Sequence, residues 1–371
     1  MGNGMSNDIE IFAEGEIEQE FKRRGGAGEI GLKELVVKGY NDVIKTVIRP
    51  PRASYDDAVA LGPEQQLVGG QSEQVARRKD FHVLNDRGLK LMCSHWQLFA
   101  NEDATAPEAT PCLLYLHSNL GSRVDSERVR ALALERGISV FAFDFSGSGN
   151  SDGVYVTMGW NESKDLHFIL EHLERDTSVQ NICIYAHSMG TFPAIVNVAC
   201  RSPLMETALK EQRDILPAYF RYGASDLTKP IKGLVLDGGY STMAQLIEEL
   251  MHSVQKEGFK VPIPVMKLAC KVVRQSIKKR AEVDLNLLKP VEFVPACAVP
   301  ACFISGKEDR YVQTHHSRAL ANAYGGPAIV LEVEGDHYGL RSADIYREAV
   351  DFLFGSLRSV ILPPHTCHLQ V

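Results

Sequence analysis

The sequence has no long hydrophobic run, since no stretch approaches the roughly 18 uncharged apolar residues that a membrane-spanning helix needs. Residues 1–30 lack a basic segment followed by an apolar one, so no secretory signal is expected. Positive charge is in deficit, because 40 Lys and Arg stand against 47 Asp and Glu, for a formal net charge of −7. This balance argues against a general nucleic-acid binder, which normally carries a strongly basic face.

The eight cysteines do not follow the spacing of a disulfide framework. Several lie inside apolar runs, as Cys183 does, and are interpreted as small core side chains. This usage predicts a reducing compartment and a cytoplasmic location, with peripheral contact at a membrane as a further hypothesis.

Residues 1–79 are predicted to form an N-terminal extension, made of an acidic tail and an amphipathic helix. Its first six residues match the myristoylation pattern, with Gly2 as the acceptor, while a disordered acidic tail is the alternative interpretation. Residues 32–48 carry apolar side chains at helical spacing, which we expect to pack on the main domain. A single acyl chain would hold a membrane only reversibly.

From residue 80 short apolar runs alternate with helical segments, which is typical of a mostly parallel sheet flanked by helices. The pattern predicts eight strands and five helical segments between and after them. The strands are expected at 81–84, 89–98, 112–116, 139–143, 182–185, 231–236, 301–305 and 329–333, and the helices at 123–136, 159–174, 189–200, 312–324 and 341–356.

The main domain is expected to span residues 80–355, with a tail at 356–371. Two stretches interrupt the alternation, an irregular one at 201–229 and a helical, basic one at 241–297 that would form a cap. Both follow strands at the end where sites form in open parallel sheets.

The central motif is Ala-His-Ser-Met-Gly, which ends in Gly190 and has Ser188 at its centre. It lies directly after a predicted strand and before an apolar helical run, the context in which a tight turn exposes a nucleophilic serine. Ala186 takes the place of the usual first glycine. Alanine is still small, but it restricts the backbone conformation at this position more than glycine does. The motif predicts that Ser188 is a nucleophile.

A nucleophilic serine in such a strand-to-helix turn, here called an elbow serine, needs a base and an orienting carboxylate. In this motif family they follow in the chain order serine, acid, histidine. Asp309 and His337 each follow a predicted strand in that order, so the imidazole would take the Ser188 proton while the carboxylate holds its other nitrogen. Glu308 and Asp237 stay open as alternative acids.

With these motifs, roughly residues 80–355 resemble the α/β-hydrolase superfamily. The matching segments are Gly-x-x-Asp-x-x-Val at 306–312, Gly-Asp-His at 335–337, the segment at 116–119 and the glycine-rich loop at 144–151. Within the superfamily the chain is similar to the plant and protist hydrolases named serine-aminopeptidase-like.

The resemblance implies an α/β-hydrolase fold, with an eight-stranded, mostly parallel sheet and a helical cap insertion. It also implies that the backbone amides of Met189 and Asn119 form the oxyanion hole. Ser118 stands where a glycine is usual, and it would be strained if that position required a positive φ. Asp144 is expected to hold its loop rather than to act in catalysis.

No metal site and no cofactor are predicted. His315 and His316 open a helix and are expected to be solvated, because no cysteine or carboxylate partners them at ligand spacing. Cys297 and Cys302 are not paired with a second such unit.

The predicted cap contains an amphipathic, cationic helical stretch. Two interpretations stay open: a solvated cap face, or a surface that attracts an anionic group such as a lipid headgroup or a coenzyme A phosphate. The cations that recur at helical spacing are Lys267, Lys271, Arg274 and Lys278.

These patterns predict a serine hydrolase that cleaves a carboxylic ester or thioester, of a lipid or another small acyl substrate, through an acyl-enzyme. The residues expected to act are Ser188, Asp309 and His337. Two alternatives stay open, a serine aminopeptidase-like peptidase with the same chemistry and a non-catalytic scaffold used for binding.

Overall fold

A computed structural model describes residues 47–69, 73–202, 228–256 and 263–358. Several predictions therefore lie outside the described residues: the Gly2 acceptor, most of the helix at 32–48, most of the irregular stretch at 201–229 and the last residues of the tail. Of the predicted N-terminal helix, Val47 and Ile48 are described: Ile48 is buried in the larger of the two hydrophobic cores, and Val47 packs against that core.

The centre of the protein is a nine-stranded sheet with the strand order β1-β2-β3-β5-β4-β6-β7-β8-β9. The first three strands pair antiparallel, and β4 to β9 run parallel to one another. The strands are β1 Gln65–Leu67, β2 Val75–Leu84, β3 Lys90–Phe99, β4 Thr110–Leu116, β5 Ser139–Phe143, β6 Val179–His187, β7 Ile231–Asp237, β8 Ala301–Gly306 and β9 Ala328–Val333.

The predicted count of eight strands is wrong by one, because it lacks β1 at the edge of the sheet. This strand has only three residues and no buried side chain, so no apolar alternation marks it in the sequence. The sheet also begins before residue 80, the predicted start of the main domain, since β2 begins at Val75.

Helices flank the sheet, and the five predicted helical segments agree with the observed ones to within two residues at each end when the 3₁₀ turn Arg123–Ser126 is counted with the helix that follows it. The α-helices are α1 Asp57–Ala60, α2 Glu127–Glu135, α3 Trp160–Arg175, α4 Thr191–Arg201, α5 Met243–Lys256, α6 Ile263–Ala281, α7 Pro290–Phe293, α8 Thr314–Ala323 and α9 Ala343–Arg358. In the described part of the chain, 3₁₀ turns lie at Arg123–Ser126, Ser188–Gly190, Leu285–Leu287 and Val294–Ala296.

Each face of the sheet carries its own hydrophobic core. Successive side chains of a strand point to opposite faces, so in β4 Leu114 and Leu116 join one core while Leu113 and Tyr115 join the other. Helices α3, α4 and α8 cover the first face, and α2 and α9 cover the second. Burial on both faces explains why the central strands read as continuous apolar runs.

Strand β4 lies between β5 and β6, so the connections that leave β4 and β6 proceed to opposite sides of the sheet. Such a reversal of strand order opens a crevice at the carboxyl ends of the strands, where ligands bind in open α/β sheets. The segments after Leu116 and after His187 meet at this crevice.

The cysteines behave as core side chains, as predicted. All seven in the described part of the chain are free, and six of them are buried. Burial raises the pKa of the Cys112 thiol to about 12, so this group stays protonated at neutral pH. Among the helices that the structure describes, none is both long and apolar enough to cross a membrane.

Residues before the predicted domain boundary hold the glycine-rich loop after β5. The Arg52 guanidinium donates to the backbone carbonyl of Gly149 at 2.6 Å. The Tyr55 hydroxyl donates to Asp144 at 2.5 Å, and the same carboxylate accepts the Asn150 amide at 2.8 Å. The prediction that Asp144 holds its loop is confirmed.

Candidate active site

Strand β6 ends in a sharp turn into α4, and Ser188 lies at the apex with a positive φ of 51°. A positive φ is unfavourable for a residue with a side chain, so the surrounding contacts must hold Ser188 in this conformation. Ala186 lies within the strand and pairs with Leu116, and it is not among the positive-φ residues. The strain expected at Ala186 therefore falls on Ser188 instead.

Gly190 lets the turn approach β4. A Cβ atom at this position would lie 2.7 Å from the Leu116 carbonyl oxygen and 2.9 Å from the Leu116 Cβ, both closer than van der Waals contact allows. We therefore expect Gly190→Ala to lower the free energy of unfolding by roughly 1–3 kcal/mol, because the strand or the turn must move. Urea denaturation would measure the loss, and Ala186→Gly, which adds no atom, should not reproduce it by steric clash.

Ser188, His337 and Asp309 lie in one hydrogen-bonded chain. The Ser188 hydroxyl is 2.7 Å from His337 Nε2, and His337 Nδ1 is 2.6 Å from Asp309 Oδ2. All three side chains are buried. The other oxygen of Asp309 accepts the backbone amides of Tyr311 at 2.8 Å and Val312 at 2.7 Å, which orients the carboxylate.

The two alternative acids are engaged elsewhere. Asp237 forms a buried ion pair with Arg341 at 2.8 Å and accepts the Tyr185 hydroxyl at 3.3 Å. Glu308 accepts the backbone amide of Gly335. Of the three carboxylates that the sequence left open, the structure brings Asp309 to His337.

The segment after β4 is held by a buried histidine, His117. Its Nε2 accepts the backbone amide of Phe145 at 3.0 Å, so the ring proton is on Nδ1 and donates to the Ser118 carbonyl at 2.6 Å. Ser118 is not among the positive-φ residues, so the backbone strain that a positive φ would cause at this position is absent. Sequence comparison with the superfamily pointed to this segment but not to the role of the His117 ring.

The two predicted oxyanion amides lie on either side of the crevice. Met189 is the second residue of the 3₁₀ turn that begins at Ser188, a position whose amide has no acceptor within the turn. Asn119 lies in the turn after β4, and its backbone amide has no acceptor within the residues that the structure describes. Its side chain accepts the Tyr338 hydroxyl at 3.1 Å.

Two tyrosines that the sequence patterns did not single out cover the His337 ring. Tyr338 lies edge-on to it with ring centroids 4.7 Å apart, and Tyr311 lies at 5.9 Å. Burial raises the pKa of Tyr338 to about 12, so its hydroxyl stays protonated and can donate to Asn119. The two rings limit the access of water to the imidazole.

A second histidine, His187, supports His337 from the strand side. Its Nε2 donates to the His337 backbone carbonyl at 3.0 Å, and the two rings are 5.6 Å apart. Burial lowers the pKa of His187, which keeps its ring neutral at pH 7. In the sequence, His187 is marked only by its position directly before Ser188. Its contact with His337 becomes visible only in the folded structure.

A cavity of about 360 Å³ lies beside the site. Ser118, His187 and Tyr338 form part of its lining, together with Tyr115 and Arg341. Neither Ser188 nor His337 is among the residues that line it.

The expectation that His315 and His316 are solvated is wrong for His316, which is fully buried. Glu249 on α5 lies 2.9 Å from His315 Nε2 and 3.0 Å from His316 Nε2, so a carboxylate does partner both rings. A helix that is distant in sequence supplies this partner, and spacing along the chain does not show it.

The ligand atoms of Glu249, His315 and His316 lie within 4.8 Å of one another. However, the Ser241 amide donates to His316 Nδ1 at 3.2 Å, which places the ring proton on Nε2, the atom that a metal would need. We interpret the cluster as a hydrogen-bonded tether between α5 and α8.

Two curated proteins are similar in sequence to part of the chain, whereas no protein-family model matches it. Protein bem46 of Schizosaccharomyces pombe is 27% identical over 176 residues, which cover 43% of this chain and 56% of that protein. The lysophosphatidylserine lipase ABHD12 of Danio rerio is 25% identical over 134 residues, which cover 33% of this chain and 35% of that protein. The matches thus span about half or less of these relatives.

Solved structures match over a larger share of the chain. An esterase of Pyrococcus furiosus matches with a TM-score of 0.53 and 16% identity, over 79% of this chain and 96% of the esterase. The chain has the α/β-hydrolase fold. Est1E of Butyrivibrio proteoclasticus, solved with bound ferulic acid, matches with a TM-score of 0.50 and 19% identity, over 75% of this chain and all of Est1E.

The predicted α/β-hydrolase fold is thereby confirmed apart from the additional edge strand, and the resemblance to the superfamily is confirmed at the level of the fold. The narrower similarity to plant and protist hydrolases stays a prediction. In this fold the crevice at the ends of β4 and β6 is where the Ser188–His337–Asp309 chain lies.

Proposed function

We propose that the protein is a serine hydrolase that cleaves a carboxylic ester or thioester through an acyl-enzyme, with Ser188 as the nucleophile. The observation that carries this proposal is the continuous hydrogen-bonded chain from Ser188 through His337 to Asp309. The sequence relatives and the structural neighbours support the coarser statement of a hydrolase active on esters, since they include a lipase and esterases.

In the first half of the reaction His337 Nε2 takes the proton of the Ser188 hydroxyl while the oxygen attacks the carbonyl carbon of the substrate. The imidazolium then gives that proton to the leaving alcohol or thiol, and the acyl group stays on Ser188. In the second half a water molecule loses its proton to His337 and attacks the acyl carbon. The acid is released, and the proton returns to Ser188.

Asp309 would act through His337 rather than on the substrate. Its carboxylate accepts the Nδ1 proton, so the lone pair of Nε2 faces Ser188 and the imidazolium is stabilised once it forms. The amides of Met189 and Asn119 would donate to the oxyanion of the tetrahedral intermediate. His117 supports this arrangement because it anchors the Ser118 carbonyl, directly before Asn119.

A substrate panel tests the proposal against the aminopeptidase alternative. We expect turnover of p-nitrophenyl esters and acyl thioesters of graded chain length, and none of amino-acid p-nitroanilides. Labelling by a fluorophosphonate tests the scaffold alternative, because a binding module needs no reactive serine. Cleavage of the anilides in preference to the esters would favour the peptidase, and absence of labelling and of turnover would favour the scaffold.

His187 is expected to be a positioning residue for His337. His187→Ala removes a hydrogen bond worth roughly 1 kcal/mol, so we expect about a five- to tenfold lower kcat with little change in KM. His187→Gln keeps a donor and should recover part of the loss. Because His187 stays neutral, the pH dependence of kcat should keep its midpoint, and a shifted midpoint would mean that His187 itself exchanges protons with the site.

A further inference from the structure

A basic cleft of about 260 Å³ lies between α6 and the 3₁₀ turn Leu285–Leu287. Four cations, one carboxylate and two side-chain amides line it, so its lining carries a net charge of +3 in a chain whose total is −7. The lining residues are Lys267, Lys271, Arg274, Gln275, Lys278, Asp284 and Asn286.

The acid among these described lining residues, Asp284, is already paired. Asp284 lies 3.0 Å from the Lys278 ammonium and accepts the Asn286 side-chain amide at 2.9 Å, and these hydrogen bonds, together with the Lys278 charge, lower its pKa. Lys267, Lys271 and Arg274 have no carboxylate partner within ion-pair distance among residues 47–69, 73–202, 228–256 and 263–358. Within the described part of the chain, three positive charges therefore face the cleft without a carboxylate that neutralises them.

Buried residues of α6 fix these charges in place. Val272, Ile277 and Ala281 are buried in the larger hydrophobic core, so the helix cannot rotate to disperse its cations. Like charges one turn apart on a helix repel one another by a few tenths of a kcal/mol, and a purely solvated face would normally intersperse acids among them.

We propose that this cleft binds a phosphate-bearing anion. Lysine and arginine supply charge-assisted donors to phosphate oxygens, and the amides of Gln275 and Asn286 add neutral donors at the rim. The phosphate belongs either to the headgroup of an anionic phospholipid or to a soluble phosphate ester. The inference does not rest on hydrolase activity, because binding at the cleft requires none of the residues around Ser188.

The test compares two triple variants of the full chain, each carrying Gly2→Ala so that no N-terminal acyl group contributes. The cleft variant is Lys267→Gln, Lys271→Gln and Arg274→Gln. The control is Lys90→Gln, Arg175→Gln and Arg347→Gln, at exposed cations elsewhere. Both variants change the net charge from −7 to −10, since each loses three cations. Thermal unfolding checks that both fold.

Binding is measured with two probes, sodium pyrophosphate by calorimetry and vesicles by sedimentation. The vesicles contain phosphatidylcholine alone or with phosphatidic acid. We expect the cleft variant to bind the relevant probe at least roughly tenfold more weakly than the control, with the difference shrinking as salt rises. Binding of pyrophosphate alone identifies a soluble ester as the ligand, and retention on phosphatidic acid vesicles that pyrophosphate reverses identifies the lipid headgroup.

Three results would overturn the proposal. The first is that the chain carrying only Gly2→Ala binds neither probe. The second is that the control variant loses as much affinity as the cleft variant. The third is that vesicles of phosphatidylcholine alone retain the protein as well as vesicles with phosphatidic acid do. If the cleft variant fails to fold, the single change Lys271→Gln, at an exposed position, replaces it and should still weaken binding measurably.

Discussion

Replacement of Ser188 by alanine is expected to abolish covalent labelling by a fluorophosphonate and to lower ester turnover by roughly 10⁴- to 10⁶-fold. The substitution removes the hydroxyl oxygen that lies 2.7 Å from His337 Nε2, so no acyl-enzyme can form. His337→Ala should have an effect of the same order, because the serine then has no group to take its proton. Stopped assays with a p-nitrophenyl ester and gel detection of the label would measure both.

A matched control is available at the same edge of the sheet. Ser305 is buried at the end of β8, and its hydroxyl has no hydrogen-bond partner in the described part of the chain. Ser305→Ala should therefore label and turn over as the unaltered protein does. Circular dichroism of all three variants checks the fold, and undiminished turnover in Ser188→Ala would remove the assignment of the nucleophile.

Asp309→Asn is expected to lower kcat by about 10³- to 10⁴-fold while leaving KM within a few-fold. The asparagine amide can donate to His337 Nδ1, which would then carry no proton, and Nε2 would be protonated and unable to accept from Ser188. The loss comes from the wrong tautomer and from the lost stabilisation of the imidazolium. Steady-state kinetics on an ester substrate, with the label as a check on the site, would measure it.

Asp237→Asn provides the contrast. Its carboxylate pairs with Arg341, so the substitution leaves a buried guanidinium without its counter-charge, which typically costs about 3–5 kcal/mol of stability. We expect a lower unfolding temperature but kcat within about tenfold of the unaltered protein when assayed well below that temperature. If Asp237→Asn impaired kcat more than Asp309→Asn, the acid of the triad would be on β7.

The two carboxylates show how far sequence reasoning extends. Chain order and the position at a strand end predicted both as candidates, because Asp237 ends β7 and Asp309 follows β8, two parallel strands whose carboxyl ends face the crevice. The choice between them depends on which carboxylate reaches the imidazole. Arg341, which follows β9, forms an ion pair with Asp237. No pattern in the sequence predicts that pair.

His316 is a residue whose exposure was predicted wrongly from the sequence. Its neighbours in sequence indicate an exposed helix start, and the side chain is nevertheless fully buried. Glu249, on a helix inserted between β7 and β8, lies against it. Burial of a polar residue depends on which element covers it, and that contact forms only when distant segments pack.

The resemblance of its motifs implied the α/β-hydrolase fold, and the sequence alone determined a mostly parallel sheet flanked by helices, the bounds of most strands and helices, and the position of Ser188 in a tight turn. These features follow from local patterns: apolar runs, helical periodicity and small residues that allow a tight turn. The tertiary structure decided which carboxylate joins His337, which rings cover it and which cations converge on the cleft beside α6. Those outcomes depend on contacts between segments far apart in the chain, whose distances no local pattern encodes.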